Sequence, residues 1–211
     1  RRQRQMCIRD SNERSVPEKT IAHLIKELPA FPEHLQLMYL ILFCTGIRKS
    51  EVCTIKSGAF YSQGNENWMR IYQSKMRREK VIPVPSLLVG LVNDYEKKYG
   101  IKNGEYLFKN KKGGAFNGQT FSNQMIRECK VRGIACGDYI FRAHDYRHNL
   151  ATSMYGNGVS IQGVRDYLGH SSENMTKQYI DFMPERIVSA EDKYFSKNQS
   201  FKLKGAEDDE R

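Results

Sequence analysis

The spacing of apolar residues changes period twice along the chain, from helical to alternating and back to helical. Ile21, Leu24, Ile25 and Leu28 recur at i, i+3, i+4 and i+7, which predicts an amphipathic helix. Ser15 and Glu18 are spaced as a capping box at its start. A second helix is predicted from about Pro32 to Cys44. Its run LMYLILFC is nearly continuous in apolar residues, so it should be buried on most sides, and Gly46 is placed to end it. After a short helix near 48–55, WMRIYQ (68–73) and KVIPVP (80–85) read as strands joined by the charged turn SKMRRE (74–79), a hairpin with a basic tip. Residues 86–99 return to helical spacing, YLF (106–108) reads as one short strand, and KNKKGG (109–114) as a basic loop. From 117 onward helices are expected at about 118–132, 145–156, 160–168, 172–181 and 185–194, with breaks at Gly156–Gly158 and Gly169. The expected fold class is therefore α+β, mostly helical with a small antiparallel sheet or hairpin.

The ends of the chain read differently from its middle. Residues 1–15 carry many charges and little apolar periodicity, as an exposed interdomain linker would. The chain starts at Arg1 without an initiator methionine or a signal-peptide pattern, so a piece of a longer protein is expected, lacking an N-terminal portion. The tail 202–211 has too little apolar content to pack alone. At 211 residues the chain is long enough to bury a core without disulfides. Its apolar runs fall short of the roughly 18–20 residues of a membrane span, so a soluble protein with no membrane partner is expected.

Composition narrows the class further. The five cysteines, Cys7, Cys44, Cys53, Cys129 and Cys136, contain no Cys-x-x-Cys pair, which fits neither a disulfide framework nor a zinc site and points to a reducing cytoplasm. Cys44 and Cys53 read as small core residues and the other three as incidental. The 34 Lys and Arg against 24 Asp and Glu leave a net charge of +10, which favours a polyanionic partner such as nucleic acid.

Three segments concentrate residues suited to phosphate chemistry: TGIRKSEV (45–52), the hairpin tip with Lys75, and the run from His144 to Tyr179. In HDYRH (144–148), His144 and Arg147 are three apart at a helix start and can share one side. LGHSS (168–172) puts His170 at a tight turn, and Tyr179 follows nine residues later. Each feature also has a plain structural reading. A lone arginine near a helix end is ordinarily an ion-paired surface residue. Most tyrosines, Tyr155, Tyr167 and Tyr194 among them, are packing residues. Lys75 lies among Arg77, Arg78 and Lys80, any of which reads equally as a solvated charge or a backbone-phosphate contact. His144 and His148 stand at i, i+4 but lack the H-E-x-x-H form and a third ligand, so no metal site is expected.

Taken together and in this order, TGIRKSE, the hairpin lysine followed eight residues on by Pro83, H-x-x-R-H, and LGH followed by a tyrosine resemble the catalytic domain of tyrosine recombinases, the phage-integrase family of DNA strand-exchange enzymes. The resemblance covers roughly residues 16–182, leaving 1–15 as linker and 183–211 as a C-terminal helix and tail. Ile187, Val188, Tyr194 and Phe201 would let that tail dock on a neighbouring subunit. One departure is Tyr146, where the family commonly has leucine at a packing position.

The resemblance implies a division of labour. Arg48 and Arg147 would clamp the phosphate, because a guanidinium is always charged and forks onto two oxygens. His170 would hydrogen-bond the same phosphate. His144 would take the proton of the nucleophile, Tyr179, and Lys75 would protonate the departing 5′ oxygen. Glu51, one turn after Arg48, would brace that arginine. A 3′-phosphotyrosyl link conserves the bond energy, so no cofactor, ATP or metal is implied. The implied partner is double-stranded DNA, bound by a homotetramer, with the isolated chain a monomer. Two rivals share part of this pattern: a type IB topoisomerase, and a DNA-binding module that has lost catalysis. The filled catalytic positions argue against the second.

Overall fold

The structure is a computed structural model that describes residues 16–73, 77–134 and 139–169. The predicted linker 1–15 and helices 172–181 and 185–194 lie outside the described residues. Helix α1 (Glu18–Glu27) buries Leu24 and Ile25, and Leu28 follows into the core. Its N-cap is Pro17 rather than the expected Ser15, which lies outside the described residues. Proline holds φ at −57° and offers its carbonyl to the amides of Thr20 and Ile21, so the first turn is fixed by backbone geometry.

Helix α2 (Glu33–Thr45) is the axis of the molecule. From Leu35 to Phe43 every side chain is buried, as the continuous apolar run predicts. Gly46 ends it with φ +58°, a left-handed cap that costs glycine nothing. A five-residue helix α3 (Lys49–Cys53) follows.

Three antiparallel strands come next, in the order β1 (Phe60–Gln63), β2 (Glu66–Gln73), β3 (Arg78–Pro83). Strand β1 is absent from the sequence expectation because only Phe60 of FYSQ is buried, so it shows no alternation. Its hairpin is nevertheless signalled by Gly64–Asn65, a two-residue turn between the paired Gln63 and Glu66. The second hairpin pairs as far as Gln73 with Arg78, so Arg78 and Glu79, expected in the turn 74–79, belong to the ladder. The expected strand at YLF is not one. Tyr106 makes an isolated bridge with Lys56, while the Leu107 amide bonds the carbonyl of Ile55 and turns Leu107 and Phe108 into the core.

The remaining described elements are α4 (Ser86–Tyr99), α5 (Gly118–Val131), α6 (Ala143–Gly156) and α7 (Ile161–Leu168). Helix α6 lies along α2 through Tyr146, which is buried and meets Tyr39 edge-on at 5.2 Å and 87°. The tyrosine at this position is a packing residue, as expected. Cys44 is half-buried, and Cys53 and Cys129 are buried, so Cys129 belongs to the core rather than being incidental. Burial pushes the Cys44 thiol up to about 12 and those of Cys53 and Cys129 up to about 11, which keeps all three protonated at neutral pH. Among the described residues, no helix is long and apolar enough to cross a membrane.

Candidate active site

The turn at Gly46 leads directly into the first motif. Arg48 is the N-cap of α3, and Glu51 sits at the third helical position, so one carboxylate reaches both ends of the arginine. Glu51 Oε2 accepts from the Arg48 amide at 2.7 Å, and Oε1 accepts from Arg48 Nη1 at 2.8 Å. The Arg48 side chain keeps 23% exposure while that of Glu51 keeps 4%. The carboxylate is thus the buried anchor, and the guanidinium keeps a solvent-facing edge. Glu51 and Arg48, both expected at the site, are brought together here.

Arg147 is held differently. It is buried on α6 at 2% exposure, a position where a cation survives only with strong acceptors. Nη1 donates to the carbonyl of Gly46 at 2.8 Å and Nη2 to that of Leu168 at 2.6 Å. Gly46 caps α2 and Leu168 is the last residue of α7, so the guanidinium lies at the negative ends of two helices. His144, one turn nearer the start of α6, is exposed. Its ring meets that of His148 edge-on at 4.9 Å and 88°. Among the described residues no group of three or more His, Cys, Asp or Glu side chains is disposed to hold a metal ion.

The β2–β3 hairpin supplies the third side. Its inward face is apolar at Met69, Ile71 and Ile82, then turns polar toward the tip at Gln73 and Lys80. Gln73 is 1% exposed and donates from Nε2 to Glu51 Oε1 at 3.4 Å. Its amide packs on Gly169, whose φ is +70°; a Cβ there would stand 2.7 Å from Gln73 Oε1. Lys80, half-buried and paired in register with Ile71, donates to the carbonyl of Tyr167 and lies 5.5 Å from the centre of the Tyr167 ring. Burial first, and then the charges of Arg147, Arg78 and Arg48 against the opposing pull of Glu51, bring the Lys80 amine down to about 7.

Four segments far apart in sequence therefore meet: the Gly46–Glu51 turn, the turn end of the β2–β3 ladder, the start of α6 and the end of α7. Arg48, Arg147 and Lys80 stand against Glu51 at the meeting point, which suits it to an anion. Gln73 and Lys80 were not among the residues expected here. Their signal is the alternation of β2 and β3, which assigns both to the inward face. Lys75, His170 and Tyr179 lie outside the described residues.

Mostly helical, with a three-stranded antiparallel sheet and two arginine-bearing motifs brought together, this is the fold of a tyrosine recombinase catalytic domain. The chain belongs to the Phage integrase family, whose sequence profile matches residues 14–186. It is 30% identical over 190 residues to Transposase B from transposon Tn554 of Staphylococcus aureus, covering 87% of this chain and 30% of that protein. It is 27% identical over 155 residues to tyrosine recombinase XerC of Rickettsia bellii, covering 72% of this chain and 48% of that one. Among solved structures it is similar to XerA recombinase, with a TM-score of 0.66 and 20% identity over 88% of this chain and 65% of that one. It is also similar to lambda integrase as a tetramer bound to a Holliday junction, with a TM-score of 0.58 and 22% identity over 78% of this chain and 47% of that one. The chain thus spans about a third to a half of these curated relatives.

Proposed function

We propose that the protein is a site-specific DNA recombinase of integrase or transposase type. The observation that carries this reading is the convergence of Arg48 and Arg147 from segments 99 residues apart (147 − 48) onto one cation-rich meeting point, in a chain of the Phage integrase family. A phosphodiester repels nucleophiles, so its oxygens must be neutralised before attack, and fixed guanidinium groups do this without reorganising. Arg48 and Arg147 fill that role, with His170 as a further donor. The Tyr179 oxygen attacks phosphorus and passes its proton to His144. The bond from phosphorus to the 5′ oxygen breaks, and Lys75 gives that oxygen a proton. The product is a 3′-phosphotyrosyl link and a free 5′ hydroxyl, which can re-attack without ATP or a metal ion. The tyrosine phenol, with a reference pKa of about 10, leaves again more readily than an alcohol would. The partner is double-stranded DNA, and a homotetramer on two DNA sites exchanges the strands. The free thiols of Cys44, Cys53 and Cys129 agree with work in the cytoplasm.

The test uses a pool of nicked duplexes with randomised sequence, in which the cleaved fragment diffuses away and traps the covalent state. We expect a denaturant-stable protein–DNA adduct that disappears in Tyr179→Phe, and sequencing the attached end identifies the site. An adduct that persists in Tyr179→Phe, or none from the unaltered protein, overturns the reading. Rapid relaxation of any supercoiled plasmid without exchange between sites favours the topoisomerase instead.

A further inference from the structure

We propose that Lys80 is a positioning residue that, together with Arg147, ties the end of α7 to the turn end of the β2–β3 ladder. The carbonyls of Tyr167 and Leu168 are the last two of α7, where a helix leaves its carbonyls without intrahelical partners. Lys80 takes the first of them and Arg147 the second. Two side-chain donors from different elements thus cap one helix end, and the charge of the Arg147 guanidinium is the one that the helix dipole favours. Gly169 follows with its left-handed φ, its amide bonded to the carbonyl of Arg165 and its α-carbon packed on Gln73. The position of Gly169, which precedes His170 in the sequence, is consequently set by β2, β3 and α6.

The surroundings of Lys80 make it a brace with a charge that depends on its neighbours. Facing it are Arg147 on α6, Arg48 and Glu51 at the start of α3, Arg78 on its own strand, and Asp166 with the Tyr167 ring on α7. A lysine turned into the inward face of a sheet must find an acceptor for its N–H groups or be excluded from the fold. The Tyr167 carbonyl is that acceptor. In the described part of the hairpin Arg78 and Lys80 share the inward register, opposite Gln73 and Ile71, but Arg78 is exposed beside the turn and Lys80 is the one that is half-buried.

The activity arm of the test rests on the recombinase reading, and a second arm does not. Hydrogen exchange of the Gly169 amide in Lys80→Met should rise about tenfold or more, with Lys80→Arg close to the unaltered protein and the exchange of α2 amides unchanged in both. Equal exchange at Gly169 in all three proteins overturns the brace. In the adduct assay, Lys80→Met should slow cleavage at saturating DNA by about 10–100-fold, the loss typical of a misplaced catalytic group, while DNA affinity changes much less and Lys80→Arg recovers most of the rate. A sulfur in place of the 5′ bridging oxygen leaves without protonation. It should therefore not repair Lys80→Met, and full repair would make Lys80 a proton donor and overturn the positioning role. An unaltered protein that forms no adduct sinks the recombinase reading, leaving the exchange arm to decide the brace. An active protein in which Lys80→Met cleaves at the normal rate sinks the brace alone. Should Lys80→Met fail to fold, Lys80→Gln retains a donor and is judged by the same two readouts.

Discussion

Arg147 reaches across 101 residues of chain to donate from Nη1 to the carbonyl of Gly46 at 2.8 Å. The acceptor belongs to the turn that positions Arg48, and the other amino group of the same guanidinium holds Leu168 at the end of α7. The two arginines of the site are therefore placed by one bond network, and a change at Arg147 is felt at Arg48 through the turn at Gly46.

The first prediction follows from the shape of that guanidinium. Arg147→Lys preserves the charge but replaces a planar fork with a single ammonium, which cannot meet Gly46, Leu168 and a phosphate at once. One buried carbonyl loses its partner, at a cost of about 1–3 kcal/mol in folding stability. Adduct formation should fall about 100–1,000-fold, the loss seen when a preorganised donor is removed. Urea unfolding and the suicide-substrate assay read the two effects separately. Normal cleavage by a protein of normal stability would show that neither the fork nor its acceptors matter.

Gly46 itself carries the second prediction. Its φ of +58° is left-handed, and a Cβ placed on it would stand 2.8 Å from Leu150 Cδ2 and 3.3 Å from Leu168 Cδ2. The left-handed conformation alone costs an alanine about 1–2 kcal/mol. The leucine ends can turn aside, so Gly46→Ala should destabilise the protein by about 1–3 kcal/mol in total. Urea midpoints of Gly46→Ala in the presence and absence of Leu150→Ala separate the two contributions, because only the contact part is relieved by shortening Leu150. An unchanged midpoint in Gly46→Ala would mean the turn is free to take another form.

These residues also mark how far the sequence reaches. Helix α2 is legible because an unbroken apolar run of its length has nowhere to go but the interior, and the left-handed stop at Gly46 follows from residue type. The bracing of Arg48 by Glu51 is legible because three residues of helix bring those groups together. The acceptors of Arg147 are not, since a backbone carbonyl carries no side-chain signature. Lys80 shows the other kind of gap. Whether a basic residue near a hairpin tip faces inward depends on the pairing register, here Gln73 with Arg78 and Ile71 with Lys80. A slip of that register by one residue would exchange the inward and outward sets. Strand β1 is hidden for a related reason: one buried residue in four shows no period.

The pH dependence of stability offers a prediction whose sign can be worked out. Folding lowers the Lys80 amine from its ordinary 10.5 to about 7, so between these values the unfolded chain binds a proton that the folded protein releases. Stability contributed by this group therefore rises with pH across that window, is complete above about 10.5, and is lost as pH falls through 7. The thiols of Cys44, Cys53 and Cys129 act in the opposite direction. Their folded values lie above the ordinary 9.0, so their contribution is present below 9 and declines above it. The clean interval for Lys80 is thus between about pH 7 and 9. Across it the thermal midpoint of the unaltered protein should climb relative to that of Lys80→Met, which lacks the titrating group. The difference between the two curves removes what the thiols contribute to both. Parallel curves from pH 7 to 9 would mean that the Lys80 amine is not held among Arg147, Arg78 and Arg48 in the way its bond to Tyr167 requires.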